Sequence, residues 1–153
     1  MKFTPDDPLI WSVRTFIYEH FVATTAAPTV LTIVDRFALT VDEATAVLTA
    51  LHEQHALFLE AERPVIRIAN PFSAVPTDFV TEVAGKRYWA NCAWDSLGII
   101  VATGARSASV YAHCTGDGQP LRVVVANGAV VDNGALAHVL VPFRHWYDDM
   151  VFT

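Results

Sequence analysis

The chain of 153 residues holds two cysteines, has fewer basic side chains than acidic ones (10 Lys and Arg against 16 Asp and Glu), and contains no long uncharged apolar run. Each shortage excludes something. Two cysteines make no disulfide framework, and a reducing cytoplasm suits such a chain. Without an apolar run of about eighteen residues there is no membrane-spanning helix to expect. The formal charge of -6 argues against nucleic acid held through its phosphates. The N-terminus, M-K-F-T-P-D-D-P, places acids and prolines where an export signal needs bases followed by an apolar stretch. There is no glycine-rich phosphate loop, no Ser-His-Asp order and no pair of catalytic carboxylates. The six histidines, His20, His52, His55, His113, His138 and His145, have no zinc-site spacing, and neighbours such as His113 and Cys114 in a strand point to opposite faces.

What is present is a hydrophobic chain, 53% apolar, long enough to bury a core as one domain or as a core with a small extra module. Pro8 to Ala23 carries Leu9, Ile10, Val13, Phe16, Ile17 and Phe21 at the period of an amphipathic helix. Thr29 to Phe37 reads as a second helix, with Pro28 near its first turn. Thr40 and Glu43 form a capping box for a third, whose buried stripe is Ala44, Val47, Leu48 and Leu51. Ala56–Leu59 and Val65–Ile68 then flank a hairpin turn. Three helices and a hairpin outline a winged helix. A DNA-reading role is disfavoured by charge, since Arg36, Arg63 and Arg67 face Asp35, Asp42, Glu43, Glu53, Glu60 and Glu62, and the third helix has no Arg or Lys.

From Asp78 the pattern becomes that of strands. F-V-T-E-V alternates, Gly85 makes a turn, and R-Y-W-A leads into Asn91. A helix is expected from Cys92 to Ala102, with Asn91 as its N-cap and Gly104 closing it. Ser107–Ala112 and Pro120–Ala126 read as strands around T-G-D-G-Q, Asn127–Gly128 as a turn, and Leu136–Val141 as a last strand. The fold class is α+β: a winged-helix-like N-terminal part, residues 1–70, then an antiparallel or mixed sheet with an inserted helix, residues 71–153.

The chemistry centres on Y-W-A-N-C-A-W-D-S-L-G-I. Cys92 and Asp95 are three apart, which puts thiol and carboxyl on one face of a helix. A thiol at the first turn meets the positive end of the helix dipole, which favours the thiolate that attacks electrophiles and binds soft metals. Asp95 would be the proton donor or a hard ligand beside it. Cys114 opens the T-G-D-G-Q turn and is read first as a packed structural thiol, with metal ligation beside Cys92 and Asp95 as the alternative. Trp89, Trp94, Trp146 and Tyr147 are read as core and pocket wall.

This segment, preceded by N-P-F-S-A-V-P-T and followed by H-C-T-G-D-G-Q-P-L, resembles the organomercurial (alkylmercury) lyase family, in which C-A-x-D-x-L and a later C-x-x-x-G-x-P turn stand in this order. The resemblance covers roughly residues 39–153. It implies protonolysis of a carbon–mercury bond: one thiolate attacks mercury, a second joins it, and the acid beside the first protonates the departing carbon. Cys92 is carried over as nucleophile and Asp95 as proton donor, and the cysteine of the turn, here Cys114, is structural in the family. No cofactor is required, Hg(II) is the bound product, and the partners are a small organomercurial and small thiols, with a monomer or homodimer expected and no membrane or nucleic acid. The family's second catalytic cysteine follows a segment like W-Y-D-D-M-V-F-T, and the sequence stops at Thr153. Two readings stay open: a complete chain of altered activity, or a frame stopped early at a selenocysteine codon. Cys114, an external thiol, Asp148 or Asp149 would have to stand in for the second thiolate. The alternatives from other classes are a thiol-based binder that holds mercury or copper without turnover, and a winged-helix regulator.

Overall fold

The computed structural model describes residues 7–139 and 141–148. The chain divides into two compact units, Met1–Val75 and Pro76–Thr153.

The first unit is built on α1 (Pro8–Thr24), α2 (Val30–Phe37) and α3 (Val41–Glu53). Each begins where a short polar side chain can take an orphan N–H: Asp7, Thr29 and Thr40 accept from Leu9, Thr32 and Glu43 respectively. The Thr40–Glu43 box is reciprocal, since Glu43 also accepts from the Thr40 backbone at 2.9 Å. Ile10, Val13, Ile17 and Phe21 of α1 meet Ala44, Val47, Leu48 and Leu51 of α3 in the buried core, at the period the sequence shows. β1 (Phe58–Leu59), β2 (Ile66–Ala69) and β3 (Phe72–Ser73) follow as an antiparallel meander. The rings of Phe21 and Phe72 stack at 5.1 Å, tying α1 to β3. The short β3 has no sequence signal of its own; its two residues are buried and paired with Ile68 and Ala69.

The second unit is a sheet in the order β5-β4-β6-β7-β8, with every neighbouring pair antiparallel. β4 (Phe79–Val83) and β5 (Lys86–Ala90) are joined by Ala84 and Gly85, both at positive φ, a two-residue turn that follows the strand twist. α4 (Ala93–Ala102) leaves β5 and packs back on β4, β5 and β6 (Ala108–His113). Ile100 of α4, Val110 of β6 and Val125 of β7 (Pro120–Ala126) form its core with Ala105, Ala108 and Val123. This is the α+β architecture with an inserted helix, and its sheet pairs are antiparallel.

Two expectations fail here. The strand expected at Leu136–Val141 is absent from its described part; Leu136 is 95% exposed. The last strand among the described residues, β8 (Ala129–Val131), comes earlier, because Asn127 and Gly128 at positive φ turn the chain straight back on β7. The helix expected to begin at Cys92 with Asn91 as cap begins one residue later, and Cys92 itself is the N-cap, with extended backbone. The helix ends at Ala102 as expected, but Thr103 is the C-cap, and Gly104 follows it at φ +66. Among the described residues no helix is long and apolar enough to cross a membrane.

Candidate active site

Cys92 sits where β5 ends and α4 begins. Its carbonyl accepts from both the backbone N–H and the hydroxyl of Ser96, at 3.0 and 3.1 Å. The buried Thr81 hydroxyl in β4 donates to the Ser96 carbonyl at 3.0 Å. A central strand, the first turn of α4 and the backbone of Cys92 are thereby held in one chain of hydrogen bonds. A buried hydroxyl without such a partner would be costly, so these polar groups define where the helix lands on the sheet.

On that frame the Cys92 thiol donates to Asp95 Oδ2 at 3.7 Å. Burial pushes the Asp95 carboxyl up to about 6, against a weaker pull downward from the thiol's hydrogen bond. Burial also pushes the Cys92 thiol above its usual range. The Asp95 charge adds to that rise, and the backbone N–H groups of Asp95 and Trp94 oppose it. The expectation that the helix terminus would lower the thiol's pKa is therefore corrected. The helix N–H groups act in that direction, but desolvation and an adjacent carboxylate outweigh them. The resting pair is a protonated thiol beside an acid that exchanges its proton close to neutral pH.

Cys114 lies in the turn between β6 and β7. Its backbone N–H donates to the Gln119 carbonyl and its carbonyl accepts from Gly118, both at 2.8 Å. The carboxyl of Asp117 is held low by the Gln119 backbone N–H and by the Cys114 thiol. Asp117 was missed by the sequence reading, which took T-G-D-G-Q only as a turn; the signal was the spacing C-x-x-D, the same as at Cys92. Both cysteines are half-buried free thiols. Among the described residues no group of three or more His, Cys, Asp or Glu side chains could hold a metal ion, so Cys92, Asp95 and Cys114 are not gathered into one ligand set. Asp148 Oδ2 is hydrogen-bonded to His145 Nδ1 at 2.9 Å in an exposed 3-10 turn, residues 143–148; Asp149 lies outside the described residues. His113 is paired with Asp78 at 3.1 Å. Trp89 and Trp94 are exposed, so of their reading as core and pocket wall the core part is corrected.

The family model for MerB, alkylmercury lyase, matches residues 72–151, just over half of the chain. The chain belongs to the alkylmercury lyase family. The match takes in Cys92, Asp95 and Cys114 together. Among solved structures, the mercury-bound form of MerB2 is similar, with a TM-score of 0.65 and 21% sequence identity over 82% of this chain and 60% of that one. The chain thus spans three-fifths of the length of that solved relative, and the likeness is one of fold. No curated protein matches the sequence.

Proposed function

We propose that this family member cleaves carbon–mercury bonds by protonolysis, with Cys92 as nucleophile and Asp95 as proton carrier. The observation that carries the reading is the thiol–carboxyl contact of 3.7 Å, in which the acid is poised near neutrality. As an organomercurial R–Hg(II) arrives, the Cys92 S–H bond breaks, the Sγ–Hg bond forms, and the proton passes to the Asp95 carboxylate. A soft sulfur suits a soft metal. A small thiolate from solution supplies the second sulfur on mercury, since Cys92, Asp95 and Cys114 form no common ligand set among the described residues. The C–Hg bond then breaks, its electron pair takes the proton from Asp95, and R–H leaves. Mercury stays Hg(II) throughout and leaves by exchange onto another thiol. An acid that both accepts and returns a proton works best with a pKa close to the working pH.

The three helices followed by the β1–β2 hairpin support reading residues 1–70 as a winged-helix-like part that serves the enzyme core of residues 71–153. A regulator is disfavoured because α3 carries Asp42, Glu43 and Glu53 and no Arg or Lys. The setting is the reducing cytoplasm, where thiols are abundant. The test is benzene release from phenylmercury by purified protein with excess small thiol, beside Cys92→Ser and Asp95→Ala. Repeated turnover lost in both variants supports the reading. Tight phenylmercury binding without benzene would make the protein a mercury binder.

A further inference from the structure

The last residue of the N-P-F-S-A-V-P-T segment is tied by hydrogen bonds to the strand that carries the thiol. β4 and β5 are in register from Val83↔Lys86 to Phe79↔Ala90. Beyond that pair the ladder stops, two residues short of Cys92. Ala90 is fully buried, and a buried carbonyl has to be paired. Thr77 pairs it from across the sheet: its hydroxyl donates to the Ala90 carbonyl at 2.6 Å and accepts from the Phe79 N–H at 3.2 Å. The first of these is a short O–H···O bond. The Phe79 carbonyl is the more distant acceptor, at 3.1 Å, and a hydroxyl has one proton to give.

This bond fixes the last paired point of β5 before the thiol. Cys92 itself keeps extended backbone, with φ -151 and ψ 179, so it continues the strand and moves with its end. On the other side, the Cys92 carbonyl is held by Ser96, which Thr81 holds in turn. The residue is thus fastened from both directions, by Thr77 through β5 and by Thr81 through α4. Asp95 belongs to the first turn of α4, so the 3.7 Å from Sγ to Oδ2 depends on both fastenings. We propose that Thr77 is a positioning residue for the nucleophile, its hydroxyl setting where the Cys92 sulfur stands relative to Asp95. The proposal rests on the lyase reading and deepens it. A sulfur–mercury bond forms wherever the thiol is reachable, whereas return of the proton to carbon needs the acid at a set distance. A misplacement of about 1 Å costs such a step about 10²-fold.

The test uses the full chain with Thr77→Val, which keeps the shape and removes the hydroxyl, and Thr77→Ser, which keeps the hydroxyl. Thr40→Ala, in the capping box of α3, serves as a variant destabilised at a different helix. Phenylmercury binding is measured by competition with a small thiol, and benzene release in a single turnover. The Cβ signals of Cys92 and Cys114 are followed by NMR on protein carrying isotope-labelled cysteine. For Thr77→Val the expected result is benzene release slowed about ten- to a hundredfold, with phenylmercury binding within about threefold of wild type. Its Cys92 signal should shift beside an unmoved Cys114 signal. Thr77→Ser should restore both release and signal, and Thr40→Ala should change neither. Unaltered release in Thr77→Val, a Thr77→Ser no better than Thr77→Val, or an equal fall of binding and release overturns the positioning role. So does a Thr77→Val chain that does not fold, because the hydroxyl would then hold the sheet and not the site. Absence of benzene from the wild type overturns the lyase reading instead. The Cys92 signal still decides the placement: a shift in Thr77→Val that Thr77→Ser reverses upholds it, and an unmoved signal overturns it.

Discussion

The chain contains the spacing C-x-x-D twice, and the two copies behave in opposite ways. At Cys92–Asp95 the acid is half-buried at the start of α4 and its carboxyl is raised to about 6. At Cys114–Asp117 the acid lies in an exposed turn, takes the Gln119 N–H at 3.1 Å, and is held below the usual carboxylate range. One copy keeps a proton within reach of neutral pH; the other holds a charge. The motif therefore carries no chemistry by itself. Burial decides whether the acid can act as a proton carrier.

The sharpest way to break this comparison is to remove each thiol in turn. Cys92→Ser should lower organomercurial turnover on the order of 10³-fold or more, as loss of a nucleophile does, and Cys114→Ser should leave it within a few-fold. Equal losses would show that the two pairs work together. Next come the acids. Asp95→Asn should cost about 10²- to 10⁴-fold in hydrocarbon release and leave phenylmercury bound, whereas Asp117→Asn should spare both.

The same substitution makes a stability prediction of definite sign. Asp95 titrates at about 6 in the folded protein against an ordinary 3.8, so between those values the folded state binds the extra proton. Stability falls as pH rises through this window, and above it the buried charge costs up to about 3 kcal/mol. Asp95→Asn should accordingly gain thermal stability at pH 8 and little at pH 3.5, as read by melting curves across pH. It should also lower the Cys92 pKa, seen as faster alkylation near neutrality.

Smaller effects separate the frame of the site from its chemistry. Thr81→Val removes the buried donor to the Ser96 carbonyl and should cost about 1 to 3 kcal/mol, with a loss of turnover as α4 shifts. Thr40→Ala breaks the capping box of α3 in the first unit and should cost about 1 kcal/mol. Its pH–rate profile should match the wild type. If it does not, stability alone moves the profile, and the contrast between the two pairs loses its force.

The elements with strong local chemistry were legible in the sequence. The capping box, the period of α1, and the Ala84–Gly85 and Asn127–Gly128 turns each announce themselves within a few residues. Leu136–Val141 has the apolar pattern of a strand, yet Leu136 and Val139 stand exposed, and pattern alone does not say what covers a run. The site was half legible: the spacing of Cys92 and Asp95 places them together, but the direction of the thiol's shift depends on burial, which no local pattern records. Asp117 was overlooked because its spacing falls in a turn and not on a helix.

The strut from Thr81 through Ser96 to the Cys92 carbonyl also bears on time. It pins the backbone under the thiol, so in the proposed reaction mercury entering between Sγ and Oδ2 should need side-chain rotation alone. Such rotations at partly exposed positions take picoseconds to nanoseconds, far faster than the hinge and lid motions that limit many enzymes. Turnover should then be paced by bond cleavage or by thiol exchange on mercury, and be insensitive to solvent viscosity.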